Sequence, residues 1–262
     1  MKTRDSLHHA SFYEFKKVSN TIGVRNALAS ECHKLKLKGT IILSSEGING
    51  SVSGVVTAVQ HLIIFLNQQF DNLVLNQTVV SIMPFDRMVV KIKNEIVTSG
   101  LPEPFEQGTY VDPTEWNAFL EDEDTCILDV RNFYEHSIGS FQHAIKTKMR
   151  SFKEFPKIYD EEKTKINEKK IGIFCTGGIR CEKAAIFLRK KGLSEVFQLK
   201  GGILNYFKKN KNKSLWKGDC FVFDKRLAVN PKFEEINYRQ CPGCKSMSIQ
   251  KNQNIDLVEW EY

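Results

Sequence analysis

The sequence predicts an α+β unit, then a parallel α/β unit, then a short tail. Three observations predict this. Strand-like and helix-like stretches follow the order β-α-β-β-α-β over roughly the first hundred residues, a Pro/Gly-rich break comes next, and beyond it short β-rich apolar runs alternate with helical patterns.

In the first unit, residues 1–105, SFYEFKKV reads as a strand, RNALASECHKL as a helix, GTIILSS and GSVSGVV as two strands, and TAVQHLIIFLNQQF as a second helix. VVSIMPF with MVVKIK closes the unit as strand. That order is the ferredoxin-like split βαβ arrangement. Between the central strands lies SEGING, Ser45 to Gly50, read as a hairpin turn in which Gly47 and Gly50 permit positive φ and Asn49 tolerates left-handed geometry. TSGLPEPFEQG interrupts all periodicity and reads as a linker.

In the second unit, residues 106–215, the runs CILDV, KIGIFC and EVFQL alternate with TEWNAFL, SFKEFP and CEKAAIFLRKK, the pattern of a parallel sheet covered on both faces. The tail, residues 216–262, has few periodic cues and ends in a stretch that contains CPGC.

Composition narrows the function classes. The formal charge of +7 suits a polyanionic partner such as RNA, and the densest positive run is Lys208, Lys209, Lys211 and Lys213, with Lys34, Lys36 and Lys38 adding to the first unit. For each cluster a solvated linker or strand edge is the favoured reading, with phosphate binding as the alternative. The amino-terminal stretch MKTRDSLHHASF has no apolar signal-peptide core, and runs such as Leu62 to Leu66 are too short to span a bilayer, so a cytoplasmic protein without membrane contact is expected. Seven unevenly spaced cysteines point to reduced thiols rather than a disulfide framework.

CTGGIRCEK, from Cys175 to Lys183, carries the chemistry. KIGIF is a strand, and Arg180 to Lys191 is a helix with Ala184, Ala185 and Leu188 on one face, Lys183, Arg189 and Lys190 mostly outside, and Gly192 as its stop. Cys175 therefore lies at the carboxyl end of a parallel strand, facing a helix amino terminus, where ligands bind and unpaired amides favour an anion. Gly177 and Gly178 leave those amides open, and Arg180 places a cation at the mouth of the loop. The same field stabilises a thiolate, so Cys175 is read as a nucleophile with a pKa below ~8.5. Cys181, one residue into the helix, reads as packing.

The Cys-x4-Arg spacing, with Thr176, Gly177, Gly178 and Ile179 between, resembles the active-site loop of single-domain rhodaneses. Upstream, LDVRNFYEHSIGSFQHAI is similar to the rhodanese pattern Asp-Val-Arg, Glu, then Gly-x-Phe-x-x-Ala. The resemblance implies a persulfide-capable Cys175, with Asp129 and Arg131 supporting nearby structure; an Arg131–Glu135 ion pair is expected there. Cysteine phosphatases use one residue more between Cys and Arg, so phosphate should fit this smaller cradle poorly.

GTIILSSEGINGSVSG, KIKNEIVTSGLPE, YVDPTEWNAFLEDEDTCILDVRN, VFQLKGGILNYF and GDCFVFDKRLAV extend the resemblance to nearly the whole chain, and together they resemble the bacterial tRNA uridine 5-hydroxylase family. What that implies is a ferredoxin-like domain, a rhodanese domain and a cysteine-containing tail. It also implies oxygen-dependent formation of 5-hydroxyuridine at the wobble position, with the tRNA anticodon loop as partner and molecular oxygen as substrate. The family commonly has two CxxC pairs in its tail, whereas here Cys241 and Cys244 stand without a second pair; Cys220 offers at most a third ligand, and zinc is not expected. No dinucleotide fingerprint, heme attachment sequence or iron-binding His/carboxylate triad is visible, so no cofactor is identified. Two other readings stay open: a sulfurtransferase working through a Cys175 persulfide, and a non-catalytic module that keeps the fold.

Overall fold

The structure, a computed structural model, describes residues 6–105, 108–166, 170–251 and 254–257. The chain divides into two units, Met1–Thr98 and Ser99–Tyr262. The junction falls at the start of the predicted linker.

The first unit runs β1 (Leu7–Phe15), α1 (Thr21–Lys34), β2 (Lys38–Ser44), β3 (Gly47–Val55), α2 (Val56–Asn67), β4 (Val74–Val80) and β5 (Met88–Ile92). Its sheet has the order β4-β1-β3-β2-β5, which is the ferredoxin-like sheet with β5 added parallel to β2 at one edge. Alternation along the strands sends Ala10, Phe12, Ile41, Leu43, Ile48 and Val52 into one core, where Leu28 and Cys32 of α1 and Leu62 and Leu66 of α2 meet them. Asn20 starts α1 by accepting a hydrogen bond from the Gly23 amide at 2.9 Å.

Two details differ from the sequence reading. The closing strand is Val74–Val80 rather than VVSIMPF, because the polar Asn76, Gln77 and Thr78 hide the start of a strand whose residues alternate between core and solvent. The hairpin turns on Ser45 and Glu46 alone, with Ser44 opposite Gly47. Gly50 is inside β3, where a Cβ would come within 2.5 Å of the Phe12 ring.

The second unit contains β6 (Thr109–Val111), α3 (Trp116–Glu121), β7 (Thr125–Asp129), α4 (Phe133–His136), β8 (Gly139–Phe141), β9 (Ile145–Lys146), α5 (Phe155–Glu162), β10 (Lys170–Phe174), α6 (Ile179–Lys190), β11 (Glu195–Leu199) and α7 (Gly202–Lys209). Its sheet order is β6-β11-β10-β7-β9, with every pairing parallel. The chain continues through β12 (Trp216–Gly218), β13 (Cys220–Phe221) and β14 (Ala228–Val229) to a three-stranded sheet of β15 (Tyr238–Gln240), β16 (Met247–Lys251) and β17 (Asn254–Leu257).

The chain from Trp216 to Val229 contributes to the same core as the parallel sheet. β12 pairs with β8, and Trp216, Cys220, Val222 and Val229 are buried with Phe174, Ile203 and Phe207. Phe141 is central to it, meeting Phe174, Tyr206 and Trp216 edge-on at 4.9, 4.8 and 5.1 Å between ring centroids. Among the described residues no helix is long and apolar enough to cross a membrane.

Candidate active site

β10 ends at Phe174, and the chain passes through Cys175 to Gly178 before α6 begins at Ile179. Gly178 has φ of 103°, a conformation that L side chains adopt only at a cost of about 1–2 kcal/mol. That conformation aims its amide at the Cys175 sulfur, with N to Sγ at 3.1 Å. The start of α7 locks the loop from the other side: the Ile203 amide donates to the Cys175 carbonyl at 3.0 Å and the Leu204 amide to the Thr176 carbonyl at 3.1 Å. This close approach needs Gly202, where a Cβ would lie 2.5 Å from the Cys175 carbonyl oxygen.

Burial pushes the Cys175 thiol up, yet a hydrogen bond from the Cys181 thiol, the positive charge of Arg180 and the amides of Arg180 and Gly178 together bring it down to about 6. Cys181 is driven the opposite way, by its own burial and then by the neighbouring thiolate, so it keeps its proton and serves as donor. Sequence reasoning took Cys181 for packing. The signal that it contacts the nucleophile was its position one residue after Arg180, on the helix turn that closes over the loop.

Arg180 does not stand at an open mouth. It is 6% exposed, and its guanidinium forks onto Glu135, with Nη1 to Oε1 at 2.5 Å and Nη2 to Oε2 at 2.7 Å. The expected Arg131–Glu135 ion pair is absent: Arg131 grips Asp129, Nε to Oδ1 at 2.9 Å and Nη2 to Oδ2 at 2.7 Å, and reaches only the backbone carbonyl of Glu135. Both ends of this second pair are fully buried, Ser140 adds a hydroxyl donor to Asp129 at 2.8 Å, and the Trp216 ring lies under the Arg131 guanidinium at 5.0 Å. Burial works against the Asp129 carboxylate, but Arg131 outweighs it and holds the group below its ordinary range. Lys183, predicted to lie outside, is fully buried, because α6 is covered on more than its Ala184/Ala185/Leu188 face.

The sequence also predicts a sulfur at a crevice, and here the structure differs: Cys175 has no solvent exposure. The groups that act on the sulfur are amides, a thiol and a guanidinium. Thr176, at 8% exposure, is buried too, whereas Gly177 and Ile179 are half-buried, so the loop's backbone surfaces beside the sulfur. The largest apolar surface at the site is Phe223, 62% exposed, whose ring stands 5.6 Å from the Arg180 guanidinium and 5.1 Å from Phe221. It comes from the segment read as tail.

Two family models match the chain, an acylphosphatase-like domain of the UPF0176 type over residues 7–96 and a rhodanese-like domain over residues 112–209. A Bartonella henselae protein named tRNA uridine(34) hydroxylase is 42% identical over 244 residues, covering 90% of this chain and 80% of the relative. Relatives of the same name from Agrobacterium fabrum and Teredinibacter turnerae are 42% and 40% identical, again over 90% of this chain and over 77% and 75% of their own lengths. The chain belongs to the tRNA uridine(34) hydroxylase family.

In this member of the tRNA uridine(34) hydroxylase family, the basic run divides. Lys208 is half-buried at the end of α7, and burial lowers its pKa, while Lys209, Lys211 and Lys213 are exposed. In the tail, Cys241 and Cys244 are exposed on a turn closed by the Cys241 amide and the Ser246 carbonyl at 2.9 Å. Cys220 is not with them; it is buried in the core beside the charges of Arg131 and Glu135, and burial pushes its thiol up to about 12. Among the described residues no group of three or more His, Cys, Asp or Glu side chains is placed to hold a metal ion.

Proposed function

We propose that this protein hydroxylates carbon 5 of the wobble uridine of tRNA, with Cys175 as the nucleophile and molecular oxygen as co-substrate. The observation that carries the reading is a thiol held near pKa 6 by loop amides, Cys181 and Arg180 in a chain so similar to named tRNA uridine(34) hydroxylases. An anticodon-loop uridine is unpaired and can be splayed into a pocket.

The Cys175 thiolate adds to carbon 6 of uracil, and the displaced electron pair makes carbon 5 nucleophilic. Carbon 5 then forms a bond to one oxygen atom. The other oxygen leaves as water, which requires two electrons and two protons from a thiol-class or other two-electron donor. Loss of the carbon 5 proton expels the Cys175 sulfur from carbon 6 and restores the ring. Covalent addition divides one difficult substitution into two easier steps. The Arg180 charge, the amides of Arg180 and Gly178 and the Cys181 thiol hold the sulfur anion at the start and end of the cycle, with Thr176, Gly177 and Ile179 shaping the loop around it. Asp129 and Arg131 brace the strand ends beneath it. Because the sulfur is enclosed, substrate entry requires the loop or its covering segments to move, and Phe223 offers the incoming base an aromatic face next to Arg180. Lys209, Lys211 and Lys213 supply further contacts to tRNA phosphates.

The test is the tRNA nucleoside profile of cells with and without the gene, grown in air and under nitrogen. Loss of 5-hydroxyuridine-derived nucleosides in air is expected on deletion, and Cys175→Ser must reproduce it. Full hydroxylation by Cys175→Ser in cells lacking other routes refutes the reading. The rhodanese-type loop also favours sulfur transfer through a Cys175 persulfide; under that reading the nucleoside profile is unaffected by deletion, and mass spectrometry of protein isolated without reductant finds sulfane sulfur on Cys175.

A further inference from the structure

Most of the first unit's lysines with defined contacts are neutralised locally: Lys16 pairs with Asp71 at 2.5 Å and Lys34 with Glu31 at 3.5 Å. One region departs from this. A groove of about 510 Å³ is lined by Arg25, His33, Lys36, Lys38 and Arg87, with an apolar floor and no carboxylate. Among the described residues, the side chains of His33, Lys36, Lys38 and Arg87 have neither an ion pair nor a hydrogen bond. The fifth, Arg25, is spent on the edge strand, donating from Nε to the Val90 carbonyl at 3.1 Å.

The fold brings these groups together from two stretches distant in sequence, residues 25–38 and 87–90. The last turn of α1 supplies His33, and the chain reverses at Lys36, whose φ is 52° and whose amide donates to the His33 carbonyl at 3.0 Å. β2 begins at Lys38, and Arg87 is fixed alongside by its carbonyl, which accepts from the Gly39 amide at 3.0 Å. Carbonyls at the carboxyl end of α1 attract cations and account for His33 and Lys36. They do not account for Lys38, which starts β2, or Arg87, which immediately precedes the neighbouring β5.

We infer that this groove binds a stretch of the tRNA phosphodiester backbone away from the nucleotide being modified. The inference rests on the reading of tRNA as substrate. Like charges lining one groove repel one another unless an anion joins them, and the absence of any carboxylate in the lining leaves that role to a ligand. A volume of this size accepts a nucleotide-sized group. The apolar floor lets the lysine stems pack while their ammonium groups reach phosphate.

The experiment uses the full chain and transcribed tRNA. Lys36→Ala/Lys38→Ala/Arg87→Ala is compared with the charge-conserving Lys36→Arg/Lys38→Arg/Arg87→Lys in binding isotherms over a range of salt. Each lost phosphate contact lowers the slope of log K against log salt by roughly 0.7–0.9, so the alanine variant should lose about two units of slope. Its affinity at low salt should fall at least tenfold, with the kinetic loss appearing in KM, and the charge-conserving variant should stay close to wild type. Wild-type affinity and slope in a folded alanine variant overturn the inference. So does tight binding of uridine monophosphate that the alanine variant loses while its tRNA affinity holds, since that marks a small-anion site. Failure of the parent reading looks different: wild-type protein that binds no tRNA, or Cys175→Ser that still hydroxylates.

Discussion

Replacing Cys181 with alanine tests the electrostatics of the site directly. The Cys181 thiol is the strongest of the groups that lower the Cys175 pKa, and both side chains are fully buried. A hydrogen bond to a charged acceptor contributes about 1.5–3 kcal/mol, with a thiol donor at the weak end of that range. At 1.36 kcal/mol per pKa unit, its loss should raise Cys175 by about one unit, from about 6 towards ~7. Thiolate at pH 7 then falls from ~90% to ~50%, and at pH 5 from ~9% to ~1%. The assay is a pH titration of thiolate ultraviolet absorbance, which needs no access to the sulfur, with Cys175→Ser subtracted. Cys244 has a thiol lowered to about 7, first by Ser246, so the titration is run with Cys241 and Cys244 replaced by serine. Alkylation rate at a single pH is the wrong readout, because thiolate nucleophilicity rises with pKa and partly offsets the smaller thiolate fraction. Cys181→Ser, which keeps a donor, should return the midpoint to near 6. A midpoint that stays near 6 in Cys181→Ala refutes the donor role and leaves Arg180 and the loop amides as the whole cause.

Asp129→Asn should destabilise the protein by ~3–5 kcal/mol in chemical denaturation, since it leaves the fully buried Arg131 without its countercharge. The Asp129 carboxylate is held below its ordinary value, so its contribution is present above the unfolded pKa of ~3.9 and disappears as pH falls through the folded one. Wild type should therefore lose stability steeply below about pH 4, where the variant's curve is flatter; parallel acid limbs would count against the pair. Phe223→Ala should lower kcat/KM for tRNA at least about fivefold, in line with base–aromatic stacking of ~1–3 kcal/mol, and Phe223→Trp should retain activity. Equal activity of the alanine variant would leave Phe223 only its contacts with Arg180 and Phe221.

Much of this architecture is legible in the sequence, and the exceptions have physical causes. Apolar runs with period two or 3.6 locate most strands and helices of both units, and a cysteine, two glycines and an arginine at one strand end locate the nucleophile. Periodicity cannot reveal strands of two or three residues, so β12 to β14 read as tail although they deliver Trp216, Cys220 and Phe223 to the core and the site. Nor does spacing decide among buried charges: Arg131 and Glu135, four residues apart, invite pairing, but Glu135 belongs to Arg180 across forty-five residues. Arg131, with Asp129 two residues away, has no need of it. The burial of Lys183 and of Cys175 was equally hidden, since it depends on what the rest of the chain lays over α6 and the loop.

That enclosure bears on why the loop is so heavily furnished with donors. Cys220 is buried as completely as Cys175 and lies close to the same charges, yet burial leaves it at about 12 while Cys175 falls to about 6. The difference corresponds to on the order of 8 kcal/mol in favour of the thiolate. Arg180 alone cannot supply it, because Glu135 neutralises that guanidinium at 2.5 Å. The remainder must come from groups aimed at the sulfur itself, the Gly178 and Arg180 amides and the Cys181 thiol, and these are directional. A directional cradle holds the anion only while the loop keeps its shape, which ties the reactivity of Cys175 to the left-handed turn at Gly178 and to the contact at Gly202. Any motion that admits a base to the sulfur must therefore move the covering segments and leave that turn in place, or it would remove the charge it needs to expose.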